Sequence, residues 1–88
     1  MKKISVVILN WNGVGMLQKF LPKVLEYSQG EGVEVCVADN GSTDDSVAWL
    51  KANCPDVRII VLDQNYGFAD GYNKALQQVE AEYVVLLN

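Results

Sequence analysis

Histidine is absent from this 88-residue chain, and cysteine occurs only twice, at Cys36 and Cys54, without a C-x-x-C pair. Zinc centres draw on clustered cysteine and histidine at short spacings, so a structural zinc site is excluded. Two isolated cysteines are expected as reduced thiols in the core. Positive charge is also scarce, with seven Lys and Arg against eleven Asp and Glu, a net charge of −4. Nucleic-acid binding takes most of its affinity from basic side chains on phosphates, so DNA and RNA are excluded as partners. Long apolar runs are missing. The longest, Val6 to Leu9 and Tyr83 to Leu87, fall far short of the roughly 20 residues a membrane helix needs. Lys2 and Lys3 before Ile4 hint at a signal peptide, but the apolar stretch meets Asn10, Trp11 and Asn12 after six residues. A soluble, cytoplasmic protein with no membrane span is expected.

Half of the residues are hydrophobic and 20% are charged, a balance that excludes disorder and describes one small domain. Apolar, β-branched runs recur at Ile4 to Leu9, Val33 to Ala38, Val57 to Leu62 and Glu82 to Leu87. Continuous runs of this kind read as strands covered on both faces of a parallel sheet. Between the first two, Leu17, Phe20, Leu21, Val24 and Leu25 trace one helical face. Pro22 lies among them, so two short helices or a kink are expected, the second piece starting near Leu21. Ser42 and Asp45 have capping-box spacing and open a second helix with Val47, Leu50 and Cys54 inward. Phe68, Tyr72, Ala75, Leu76 and Val79 mark a third, with Gly71 allowing close approach to the sheet.

The pattern β-α-β-α-β-α-β predicts an α/β, three-layer, Rossmann-like fold with an open parallel sheet of four strands in the order 3-2-1-4. Helices one and two then share one face and helix three covers the other. Strand four is left with an open, apolar edge, so self-association through residues 82–87 is expected.

Ligands of such sheets sit beyond the carboxyl ends of the strands, where the winding reverses. Here those turns carry Asn10, Trp11 and Asn12; Asp39, Asn40, Gly41, Ser42 and Thr43; and Gln64, Asn65 and Tyr66. Such residues are ordinary in turns and caps. Together they suit a nucleobase: a ring can stack on the Trp11 indole, and the Asp39 carboxylate can accept an imide N–H. All seven basic residues are expected elsewhere, so a diphosphate beside Asp39, Asp44 and Asp45 would need Mg2+ or Mn2+ to offset charge. There is no P-loop, and Gly13-Val14-Gly15 lacks the third glycine of a dinucleotide fingerprint.

The segments SVVILNWN (5–12), VCVADNGSTDDS (35–46), NYGFADGYNKAL (65–76) and EYVVLLN (82–88) resemble the start of a family 2 glycosyltransferase of the GT-A fold. The D-N-G-S-T-D run after strand two is the specific element. The resemblance implies a nucleotide-sugar donor, most often UDP- or dTDP-linked, and inverting transfer to a hydroxyl of a saccharide or lipid-linked acceptor, as in polysaccharide biosynthesis. It implies nucleotide contacts from Asn10, Trp11, Asn12, Asp39, Asn40 and Gly41, and from a closing loop that holds Asn65, Gly67 and Asn73. It also implies a divalent metal, Mg2+ or Mn2+, with Asn88 standing where the first acid of the D-x-D motif would be. Leu9 replaces the proline common in the first motif.

Residues 1–88 would then be the nucleotide-sugar-binding part of a larger enzyme, with the general base further on and no turnover from this piece alone. Two other readings stay open: a dinucleotide-binding half-domain of an oxidoreductase, and a non-catalytic α/β interaction module. A receiver-type module fits poorly, because Asn-Trp-Asn stands where its acidic pair would be.

Overall fold

A computed structural model describes residues 2–87. The elements run β1 (Lys2–Asn10), α1 (Val14–Tyr27), β2 (Val33–Asp39), α2 (Ser46–Asn53), β3 (Arg58–Val61), α3 (Phe68–Leu76) and β4 (Ala81–Leu87). Every strand pairing is parallel and the sheet order is β3-β2-β1-β4, as expected from right-handed crossovers.

Alternation along β1 and β2 divides the interior in two. Val6, Val35 and Val37 face α1 and α2, meeting Leu17, Leu21, Leu50 and Cys54. Val7, Cys36 and Ala38 face the other way, toward Tyr72 and Ala75 of α3. Both cysteines are buried and free. Burial pushes the Cys36 thiol up to about 11, which keeps it protonated and inert. Near the amino ends of the strands, the buried Ser5 hydroxyl donates to Glu34, which pairs with Arg58 at 3.8 Å.

Three local expectations are corrected. α1 is one continuous helix with Pro22 inside it. Fully burying a large apolar side chain contributes about 1.5–3 kcal/mol. Leu17 and Leu21 before the proline and Val24 and Leu25 after it dock on the same core, which outweighs the roughly 3 kcal/mol cost of an interior proline. Pro22 itself is exposed, so the carbonyl it leaves unpaired faces water. Phe20, read as an inward residue, is 45% exposed. The second helix begins at Ser46, and the Ser42–Asp45 capping box does not form, since Asp45 makes no side-chain cap bond. Ser42 is drawn back toward β2, where its hydroxyl donates to Asp39 at 2.7 Å.

On α3, Gly71 lies so close to β1 that a Cβ there would meet Leu9 and the Asn40 amide at about 3 Å, the close approach expected of it. Phe68 is exposed instead of inward and stands edge-on to Tyr72, centroids 5.2 Å apart. β4 departs most from the expectation of strands covered on both faces: Tyr83, Val84, Val85 and Leu86 are exposed, and among the described residues only β1 pairs with it.

Candidate functional site

The turns after β1, β2 and β3 meet at one end of the sheet and are knit together by side chains. Asp39 ends β2 at 1% exposure. Its Oδ1 accepts from the Asn10 amide at 3.0 Å and from the Ser42 hydroxyl, and its Oδ2 accepts from the Ser42 backbone N–H at 2.9 Å. Asn12 has φ +50, a left-handed conformation that Asn tolerates better than most residues. From there its Oδ1 accepts the N–H groups of Thr43 (2.7 Å) and Asp44 (3.2 Å), while its own N–H donates to Ser42 Oγ at 2.9 Å. The β1 and β2 turns are therefore clamped to each other.

Asn40 performs the matching task toward β3. Its amide donates to Asn65 Oδ1 and the Gly67 carbonyl, and its Oδ1 accepts the Tyr66 N–H at 3.0 Å. Gly41 lies against the same loop with φ +78, and a Cβ there would fall 2.6 Å from the Gln64 carbonyl carbon. Tyr66 donates to Asp63, whose carboxylate holds the phenol above its ordinary pKa. Among the described residues no buried side-chain nitrogen or oxygen lacks a partner, so the polar groups of these loops satisfy one another.

The structure thus brings Asn10, Trp11, Asn12, Asp39, Asn40, Gly41, Asn65 and Gly67 to one end of the sheet. Trp11, 54% exposed, is the large flat side chain left available there. It borders an apolar groove of about 560 Å3 lined also by Leu9, Met16, Phe20 and Leu87. A cavity of about 600 Å3 lies at the opposite end of the strands, beside Lys2, Glu34, Arg58 and Gln78, away from these turns. Asn73 is exposed on α3 and is not drawn into the network. Asn88 lies outside the described residues.

Two further residues take part at this end of the sheet, Asp44, expected beside a diphosphate, and Lys74, a possible neighbour by the resemblance. Asp44 joins the starts of two helices: Oδ2 accepts the Val14 N–H at 3.1 Å and Oδ1 accepts the Ser46 N–H at 2.9 Å. The Ser46 hydroxyl also donates to it and is the main reason its carboxyl stays below the usual range. The acid-rich start of α2 was the signal for such a cap, but the spacing pointed to Asp45. Lys74 places its ammonium 4.9 Å from the Tyr66 ring centroid. Of the seven basic residues, placed elsewhere by the strand-tip reading, Lys74 is the one the resemblance named as a possible neighbour, and it does reach the β3 turn.

Among the described residues no group of three His, Cys, Asp or Glu side chains could hold a metal ion. Asp39 and Asp44 spend their oxygens on hydrogen bonds. The described residues do not by themselves fit the implied cation.

An open parallel sheet with ordered polar turns at its switch point is the architecture of nucleotide-binding α/β proteins. The model of glycosyl transferase family 2 matches residues 5–88, and the chain belongs to that family. It is 32% identical over 85 residues to the uncharacterized glycosyltransferase YfnE of Bacillus subtilis (strain 168), covering 94% of this chain and 22% of that protein. S. aureus TarS (residues 1–349) superposes with a TM-score of 0.80 at 26% identity, over 97% of this chain and 26% of that one, and has also been crystallised with UDP-GlcNAc. Glucosyl-3-phosphoglycerate synthase from Mycobacterium tuberculosis, in complex with Mn2+, UDP and glucosyl-3-phosphoglycerate, shares the fold. Its TM-score is 0.79 at 22% identity, over 98% of this chain and 33% of that one. The chain spans about a quarter of the length of the curated relatives it matches. No helix among the described residues is long and apolar enough to cross a membrane.

Proposed function

We propose that these residues form the nucleotide side of the donor site of a glycosyltransferase that uses a UDP- or dTDP-sugar and transfers with inversion. The supporting observation is the exposed Trp11 indole at the same end of the sheet as Asp39, on turns already fixed by Asn10, Asn12 and Ser42. A base stacks on the indole. Its imide N–H is accepted by Asp39 Oδ2, which takes one hydrogen bond where Oδ1 takes two. At its depth that oxygen is reached only when the Ser42 turn opens. Asn65, Gly67 and Lys74 then face the sugar-phosphate side, with Asn73 joining as the loop closes. A divalent cation, Mg2+ or Mn2+, takes its ligands from outside the described residues. The acceptor, a saccharide or lipid-linked hydroxyl, is bound outside them as well. We also infer that the exposed β4 edge pairs with a second copy in the isolated chain.

Titration of the 15N-labelled chain with UDP tests the donor site. Shifts are expected at the Trp11 indole N–H and at the backbone of Asn12 and Ser42. Trp11→Ala should weaken binding roughly tenfold, the worth of one base–aromatic stack. Absence of shifts at these turns at millimolar UDP, or shifts confined to the cavity around Arg58, would overturn the reading.

A further inference from the structure

β1 pairs with β2 through Asn10 and Asp39 and, among the described residues, with β4 through Ile8 and Leu87. At that point a side chain from another layer bridges the strands. The hydroxyl of Tyr72 accepts the Leu9 N–H at 3.4 Å and donates to the Leu87 carbonyl at 2.5 Å. Tyr72 comes from α3 and is only 4% exposed, its ring packed beside Cys36, Ala38 and Ala75 and edge-on to Phe68. The rigid ring thus carries one donor and acceptor to the place where the sheet changes winding direction.

Two consequences follow from the position of this bridge. Leu9 immediately precedes Asn10 and Trp11, so a tether on its N–H steadies the strand end from which the indole projects. Leu87 pairs with Ile8 at the end of the described part of β4, and the Tyr72 hydroxyl adds a side-chain bond to its carbonyl at that strand end. Ligands of open parallel sheets enter the crevice at such a reversal, and its width here depends on the separation of these two strand ends.

We propose that Tyr72 is a positioning residue of the donor site, its hydroxyl holding the carboxyl ends of β1 and β4 at the spacing that nucleotide binding requires. The proposal rests on the donor-site reading above. Tyr72→Phe keeps the ring and its packing and removes only the bridge. In the 88-residue chain we expect the Leu9 amide to exchange with solvent about tenfold faster in this variant, and its dissociation constant for UDP to rise about three- to tenfold, the scale of one hydrogen bond. Ala75→Gly, on the same buried face of α3, loosens the helix without touching the hydroxyl; it should lower the melting temperature and leave UDP affinity unchanged.

Unaltered Leu9 exchange in Tyr72→Phe would overturn the bridge. Faster exchange with unaltered UDP affinity would reduce Tyr72 to a structural residue, as would an equal loss of affinity in Ala75→Gly. If the unsubstituted chain itself binds no UDP, the donor-site reading fails and the positioning role with it. That outcome is distinct from one in which the unsubstituted chain and Tyr72→Phe bind equally.

Discussion

Asp44 receives the Val14 N–H on one oxygen and the Ser46 N–H on the other, so a single carboxylate ties the starts of α1 and α2. Charge at a helix start is favoured by the orphan N–H groups and the helix dipole. Its neighbour Asp45 makes no such bond. Asp44→Ala should therefore lower the melting temperature clearly more than Asp45→Ala, and equal effects would contradict the assignment. The carboxyl of Asp44 lies below its ordinary range when folded, chiefly through the Ser46 hydroxyl. A carboxyl depressed on folding contributes stability above the unfolded-state pKa and loses it as pH falls through the folded one. The stability difference between the unsubstituted chain and Asp44→Asn, measured by urea unfolding, should thus be constant near neutrality and shrink below the ordinary carboxylate range. A difference unchanged by acid would show that the charge is not involved.

Among the elements, α1 shows how packing overrides a local signal. Pro22 lacks the N–H that would complete the ladder, yet the helix runs from Val14 to Tyr27 because both of its halves share one apolar floor. As Pro22 is solvent-facing, Pro22→Ala restores a hydrogen bond at no packing cost. Urea unfolding should show a gain of about 1–2 kcal/mol, the interior-proline cost less the entropy that proline removes from the unfolded chain; a loss would mean that the proline shapes the helix for packing. The β2 and β3 turns depend on a different feature. Gly41 combines φ +78 with backbone of Gln64 and Asn65 where a Cβ would be. Gly41→Ala should cost more than about 2 kcal/mol, since the left-handed penalty adds to a clash that backbone cannot relieve cheaply. Tolerance of alanine there would show that the turn can re-form without the contact.

For the 88-residue chain as a whole, the exposed faces of β4 lead to a prediction about its behaviour in solution. Tyr83, Val84, Val85 and Leu86 form an edge without lysine or proline, the devices that usually block edge pairing. Sedimentation should reveal concentration-dependent dimers, and Val85→Lys should abolish them. A clean monomer at high concentration would count against edge pairing, and so would dimers that survive the lysine.

Much of the fold was legible because long-range geometry follows from local patterning. Four apolar runs separated by helix-length gaps admit few right-handed arrangements, and 3-2-1-4 is the one observed. The site was legible less fully. That Asn10, Trp11, Asp39 and Asn65 share one end of the sheet follows from topology, since all of them end or follow strands. That Asn12 grips Thr43 and Asp44, or that Asn40 grips Tyr66, does not. Those bonds join residues 26 to 32 positions apart, and no spacing rule reaches that far.

The chain by itself determined the layer order, the sheet order and the end of the sheet at which the polar turns collect, because apolar periodicity and the handedness of L-residues leave little choice. Tertiary structure alone decided which acid caps which helix, that Pro22 is tolerated, and that the Tyr72 hydroxyl lies between β1 and β4. Each of these depends on where side chains from distant segments come to rest, a competition among contacts of about 1 kcal/mol that packing settles.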